Sequence, residues 1–310
     1  QFLGVLLESQ RINQATWSDD FTNVAWGTYN ISFTADAEYA PDGIKSAEKV
    51  IINGVNDYHN MTQSVTKAAS SLTYTSSIYA KAGEQKVLEL GLQDSIGGEA
   101  YMIYDLTAKA TISAGAYSGF TLLGYGATDV GNGWQRLWLT ATTSTNTTVK
   151  LATGIAANDG STVSFQGTSG DGLYIWGAQL EQGYGATSYL PTVSSARTRN
   201  IDSLYLDNFD QNPFYNYQKG TFVVEGDSMT FGSSTGTPTL FALDNNNDAN
   251  NRLSLYANNT SKSTTGLLKV SSATEASVTL SSVTLAAGTK FRTALTYDTN
   301  YFNIFSFKFC

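Results

Sequence analysis

Leu173-Tyr-Ile-Trp-Gly-Ala-Gln-Leu180 carries apolar side chains on both of its alternating faces. A strand of that kind is expected to be covered on both sides, so it is read as a central strand of a layered β structure. Upstream, Trp134-Gln-Arg-Leu-Trp-Leu139 places Leu137 and Leu139 on one face and Trp134, Arg136 and Trp138 on the other. The dipeptide Asn132-Gly133 stands directly before it, and Asn-Gly suits the type I′ turn whose twist matches paired strands. Further blocks of period two occur at 29–33, 72–79, 86–92, 101–106, 120–123 and 149–155. Between them stand glycine-bearing turn signals such as Ala40-Pro-Asp-Gly43, Ile96-Gly-Gly98, Asn158-Asp-Gly160 and Ser169-Gly-Asp-Gly172. Only 43–52 shows helical spacing, through Ile44, Ala47 and Ile51. The expected fold class is all-β, with a jelly-roll β-sandwich over residues 1–195.

The pattern shifts after Pro191. Residues 196–219 read as a linker ending in the aromatic cluster Phe214-Tyr-Asn-Tyr217, and strand-like blocks resume at 220–225, 239–243, 252–256, 267–270, 278–280 and 291–297. A second β-sandwich over 220–310 follows, in keeping with 310 residues at roughly 150 per domain. Both ends, Gln1-Phe-Leu-Gly-Val-Leu-Leu-Glu8 and Ile304-Phe-Ser-Phe-Lys-Phe-Cys310, are strand-like, and the chain is expected to be a piece of something longer.

Charge and composition exclude several function classes. Eighteen basic and 26 acidic residues give a net charge of −8, which opposes a phosphate backbone, so no nucleic-acid partner is expected. One cysteine, Cys310, and one histidine, His59, exclude a disulfide framework, a Cys/His zinc site and a Cys–His nucleophile pair. No run of about 18 apolar residues is present, so no membrane-spanning helix is expected.

Four blocks, in order, resemble a domain recurrent in tailed-phage virion proteins, the fibre and head-spike domains related in shape to carbohydrate-binding jelly rolls. They are Leu6-Leu-Glu-Ser-Gln-Arg-Ile-Asn13 with Trp17-Ser-Asp-Asp-Phe-Thr-Asn-Val-Ala-Trp26; Ala40-Pro-Asp-Gly43; Gly131-Asn-Gly-Trp-Gln-Arg136; and Tyr174-Ile-Trp-Gly-Ala-Gln-Leu-Glu181 with Thr187-Ser-Tyr-Leu-Pro-Thr192. Ile12 stands where that pattern usually has Thr, and Gln135 where an aromatic is common. From Tyr215 the sequence is similar to the opening of a concanavalin-like or laminin-G-like domain, read as incomplete because it stops shortly after Phe302-Asn-Ile-Phe305. The resemblance implies a non-enzymatic fibre, spike or decoration protein at the virion surface. Its implied partners are other virion proteins, a host-surface glycan and further copies of itself, a trimer being the expected homo-oligomer. The alternative is a pair of carbohydrate-binding modules from a secreted bacterial enzyme or adhesin.

Sugar binding needs flat aromatic faces beside groups that bond hydroxyls. Trp134, Arg136 and Trp138 on one strand face are the first candidates, and Tyr101 and Tyr104 near Gly97-Gly98 the second. The structural alternative pairs Arg136 with a carboxylate, stacks Trp134 under it, and puts Tyr101 and Tyr104 in ordinary packing. Trp176 reads as core, with Gln179 and Glu181 bonding loop backbone. No cofactor is expected. Ca2+ is the candidate ion for Asp244, Asn246 and Asp248 in Asp244-Asn-Asn-Asn-Asp248, whose oxygens alternate as a hard cation requires, although the loop lacks an EF-hand's glycine and distal Glu. His59 reads as a structural hydrogen-bonding group. For glycoside cleavage two carboxylates must oppose each other, and Glu84, Glu89, Glu99 and Asp105 stand isolated in the sequence. The expectation is a protein that is not an enzyme.

Overall fold

A computed structural model describes residues 8–202, 216, 218–228, 239–244, 252–257, 264–270, 273–280, 289–298 and 301–308. It divides into a unit spanning Glu8–Ile201 and a second built from Asp202–Cys310 with Gln1–Leu7. The described residues are all-β, and no helix among them is long and apolar enough to cross a membrane.

In chain order, the first unit has β1 (Arg11–Asn13), β2 (Gly27–Tyr29), β3 (Ile31–Glu38), β4 (Ala47–Ile52), β5 (Asn56–Thr66), β6 (Thr73–Lys81), β7 (Val87–Gln93) and β8 (Glu99–Asp105). It continues with β9 (Ala110–Tyr117), β10 (Thr121–Gly131), β11 (Trp134–Thr142), β12 (Thr148–Ile155), β13 (Ser164–Gln166), β14 (Gly172–Gln182) and β15 (Arg197–Arg199). A six-stranded antiparallel sheet runs β10-β11-β6-β14-β4-β3, and a seven-stranded one runs β13-β5-β12-β7-β8-β9 with β2 also on β5. Alternation turns Ile78, Leu137, Leu139, Leu173 and Ile175 from the first sheet toward Leu88, Leu90, Leu92, Met102 and Leu151 from the second, and these form one core.

β14 lies between β4 and β6, as its doubly apolar pattern predicts. A bulge between Trp176 and Gln179, with Gly177 at φ +63°, switches its parity. Leu173 and Ile175 face the core before the bulge, Ala178 and Leu180 after it, and Trp176 falls on the outer side. The β10–β11 hairpin also matches its sequence signal, with Asn132 and Gly133 both at positive φ. The helical spacing over 43–52 is overturned: a turn closed by Gly43 N–H on the Ala40 carbonyl precedes β4, whose β-branched Val50, Ile51 and Ile52 suit a pleated, half-buried surface. Within the stretch read as a linker, β15 pairs with β1.

The second unit contains β16 (Gly220–Ser228), β17 (Thr239–Asp244), β18 (Arg252–Ala257), β19 (Thr264–Val270), β20 (Ala273–Leu280), β21 (Thr289–Asp298) and β22 (Tyr301–Lys308). Sheets β16-β21-β22 and β17-β18-β19-β20 share a core of Leu255, Leu295 and Ile304, with Phe222 stacked on Phe241 at 4.4 Å.

Candidate functional site

Most of the aromatic residues that the sequence singles out lie on the outer side of the six-stranded sheet. Trp134 is 1% exposed and donates from Nε1 to the Tyr39 carbonyl at 2.9 Å. Trp176 packs on Tyr189 at 4.6 Å and Tyr79 at 5.2 Å between ring centroids. Arg136 lies 5.2 Å over Tyr79 and donates to the Thr187 carbonyl and Ser77 Oγ, so its partner is loop backbone and not the expected carboxylate. Gln179 Oε1 accepts from Leu190 N at 2.8 Å and Glu181 accepts from Thr187 N at 3.0 Å, so both hold the loop that follows β14. Asn13, wholly buried, donates to the Ala178 and Leu190 carbonyls and accepts from Ala15 N and Leu180 N. The blocks that carry the family resemblance thus converge on a lid. Trp138, partly buried, lies against Gly124 and Gly126 of β10.

The outer side of the seven-stranded sheet is built differently. Asp94 Oδ1 accepts from Ile96 N and Gly98 N, and this closes the β7–β8 hairpin with Gln93 opposite Glu99, Gly91 opposite Tyr101 and Glu89 opposite Ile103. Because alternate residues share a side, Tyr104 turns inward and is 4% exposed, whereas Tyr101 faces out with Glu89, Gly91, Gln93 and Glu99. β9 brings Tyr117 beside Glu99, and β12 brings Ala152 beside Gly91 and Gly154 beside Glu89. Gly91 and Gly154 carry no side chain and Ala152 only a methyl, so longer neighbours close over a low floor: Gly91 and Ala152 are buried and Gly154 half-buried beneath a shallow trough rimmed by Glu99 and the tyrosines. Tyr117 and Tyr58 of β5 border it, 49% and 47% exposed.

Its polar groups are specific. Glu99, buried, accepts from the Tyr117 hydroxyl and from Gln93 Nε2 at 2.7 Å. Its Oε1 lies 3.2 Å from where a Cβ on Gly91 would stand, so the carboxylate reaches over that glycine. Glu89 is partly buried and takes no hydrogen bond at its carboxyl from the described residues. Burial, and then the charge of Glu99, push Glu89 up to about 8. Burial raises Tyr117 as well, followed by the Glu99 bond and the charges of Glu99 and Glu89, with Tyr58 near enough to contribute. At one end Val87, Ile103 and Ala156, with Tyr101 and Val163 against them, form an apolar margin. The face therefore combines phenol rings, an amide, two carboxyl groups and a floor without side-chain bulk.

Of the residues proposed from sequence, only Tyr101 belongs to this trough. Glu89, Gln93, Glu99 and Tyr117 were missed as a group. Asp244 ends β17, and Asn246 and Asp248 lie outside the described residues. Among the described residues no group of three His, Cys, Asp or Glu side chains is arranged to hold a metal. His59 is buried, with Nδ1 at 3.1 Å from the Asn30 carbonyl and Nε2 at 3.4 Å from that of Phe165.

Comparison with protein-family models finds no match, and comparison with curated proteins finds none. Among solved structures, the chain is similar to the crystal structure of the enzymatically active domain of Bacteriophage CBA120 tailspike protein 4, at 12% identity and a TM-score of 0.33. That likeness covers 54% of this chain and 21% of that one, so the chain spans about a fifth of that structure's length. The expectation of a chain that is not an enzyme is corrected here. The finding that stands against it is that the similar structure is an enzymatically active domain, a property of that protein. Glu89 and Glu99, isolated in the sequence, stand on one face of adjacent strands.

Proposed function

We propose that the first unit is a glycan-engaging module of a phage surface protein, and that the trough on the seven-stranded sheet is its ligand face. The observation that carries this reading is the juxtaposition of Tyr58, Tyr101 and Tyr117 with Glu99 and Gln93 around a floor of Gly91, Ala152 and Gly154. A pyranose presents C–H faces to phenol rings and hydroxyls to carboxylates and amides, and Tyr58 and Tyr117 are the rings here that keep about half of their surface exposed. The setting on a virion rests on the four sequence blocks. Repetition of the face in a homo-oligomer, a trimer by the same resemblance, would turn weak single contacts into useful avidity.

The test is a glycan array followed by calorimetry on the best ligand, with Tyr117→Ala and Tyr58→Ala beside the parent chain. Binding by the parent that each variant weakens several-fold supports the trough. A parent that binds no glycan, or variants with unchanged affinity, removes it.

A further inference from the structure

We infer that Glu89 and Glu99 are the acid and the base of a site that hydrolyses a glycosidic bond in a neutral glycan, an inference that rests on the glycan reading of the same trough. Both side chains leave the same face of neighbouring strands, on either side of Gly91. Residues two apart on a strand are roughly 6.6 Å apart, so the base of the Glu89 side chain stands about that far from the point that Glu99 Oε1 approaches to 3.2 Å. Carboxyl groups so rooted reach separations of about 5–9.5 Å, the interval that glycoside cleavage uses. Gly91 is what lets the Glu99 carboxylate lie across its strand toward Glu89, because a Cβ there would stand 3.2 Å from Glu99 Oε1 and 3.1 Å from the Ala100 carbonyl oxygen.

Their surroundings differ in the sense that such a division of labour needs. Glu89 has no donor at its carboxyl and is raised to about 8 by burial and by Glu99, so it holds a proton at neutral pH. Glu99 is an acceptor in both of its hydrogen bonds, from Tyr117 and Gln93. A bound glycan would place its bridging oxygen at Glu89. As the bond from that oxygen to the anomeric carbon breaks, the Glu89 proton passes to the oxygen. The oxygen of a water molecule bonds to the anomeric carbon, and a proton of that water goes to Glu99. One bridging bond and one water become two hydroxyl groups, one of them at a new reducing end. Exchange with solvent then returns the proton from Glu99 to Glu89. Tyr117 acts through Glu99 as a positioning residue. The acids also disfavour uronic or sialic acids in the trough, which is why a neutral glycan is assigned.

The experiment incubates the full chain with a panel of neutral bacterial-surface polysaccharides, assays new reducing ends and measures binding in parallel by calorimetry. The parent chain is expected to release reducing ends. Glu89→Gln and Glu99→Gln should each slow release by about 10²–10⁴-fold with circular dichroism unchanged; glycan binding should persist in both, within about threefold for Glu89→Gln, while Glu99→Gln also loses the charged acceptor that the binding reading assigns to it. The alkaline limb of the parent's rate profile should lie near pH 8, and Tyr117→Phe should lower kcat while leaving KM in place. A parent that binds a glycan without releasing reducing ends overturns the hydrolytic inference and leaves the binding reading standing. If nothing in the panel binds, both fall. Release that survives both Gln variants assigns the chemistry elsewhere and overturns the inference.

Discussion

On the outer side of the six-stranded sheet, Trp134, Trp176 and Tyr79 pack beneath the loop held by Gln179 and Glu181, which adds Tyr189 to the cluster. On the outer side of the seven-stranded sheet, Tyr58 and Tyr117 keep about half of their surface open and stand beside two glutamates. The same alternation builds both faces, so the difference lies in what covers them. Large aromatics on the first face recruit a lid and become a second core. On the second, Gly91, Ala152 and Gly154 offer at most a methyl, and what lies over them is Glu99 and the ring of neighbouring side chains rather than a loop. Residues that carry the sequence resemblance therefore do structural work, and the face proposed to engage a glycan carries no recognisable motif.

The largest expected break in this comparison is in stability. Trp134→Ala should cost about 3–5 kcal/mol in urea unfolding, because a wholly enclosed ring leaves a cavity and strands the Tyr39 carbonyl. Tyr117→Ala, on the open face, should cost less than about 1 kcal/mol. Equal losses from the two would show that the seven-stranded face is also packed, and the trough would have no basis. Asn13→Ala should approach the tryptophan value at about 3 kcal/mol, since it deprives one buried carbonyl, one half-buried carbonyl and two buried N–H groups of partners at once.

Acid titration sharpens the comparison next. Glu48, 3% exposed on β4, accepts from Phe21 N, and burial pushes its carboxyl up to about 7 from 4.5. The folded state then holds a proton that the unfolded chain has released, so stability should fall as pH rises from 4.5 through 7, by about 3 kcal/mol in all. Glu48→Gln should abolish that loss and raise the melting temperature at pH 8 while leaving glycan affinity unchanged. Glu89 adds a loss of the same sign that extends to about pH 8. In the Glu48→Gln variant a residual slope should therefore remain and vanish in the double variant with Glu89→Gln. A flat profile in the parent chain would show that neither carboxyl is displaced.

Much of the sandwich is legible in the sequence because most of its strands bury one alternating set of aliphatic side chains. The exceptions have physical causes. β5 turns His59, Met61, Gln63 and Val65 inward, and the two polar members break the apolar rhythm; Gln63 is satisfied by the Thr16 backbone, at 2.6 and 2.8 Å, a partner 47 residues away. β9 is made mostly of small residues, Ala110, Ser113, Ala114, Gly115 and Ala116, on both of its faces, so its contrast is weak. The trough itself was partly within reach. Blocks 86–92 and 101–106 flank Ile96-Gly-Gly98, and folding them as a hairpin places Glu89 and Glu99 on one side. What alternation alone could not supply was the register, fixed by Asp94, or the arrival of Tyr117 from a strand too small-sided to be read.

The smallest effect is expected at Trp138, one of the three residues that sequence reasoning put first. Trp138 lies on the lidded sheet, flat against Gly124 and Gly126, with only part of its ring open. A single ring of this kind, beside Arg136 already committed to the Thr187 carbonyl, lacks the free polar groups that hold a sugar's hydroxyls. Trp138→Ala should therefore leave glycan affinity within about twofold, against the several-fold loss expected for Tyr117→Ala from the roughly 1 kcal/mol that a stacked ring contributes. A reversal of that order, with Trp138 decisive and Tyr117 neutral, would move the ligand to the edge strand β10 and make the trough a bystander.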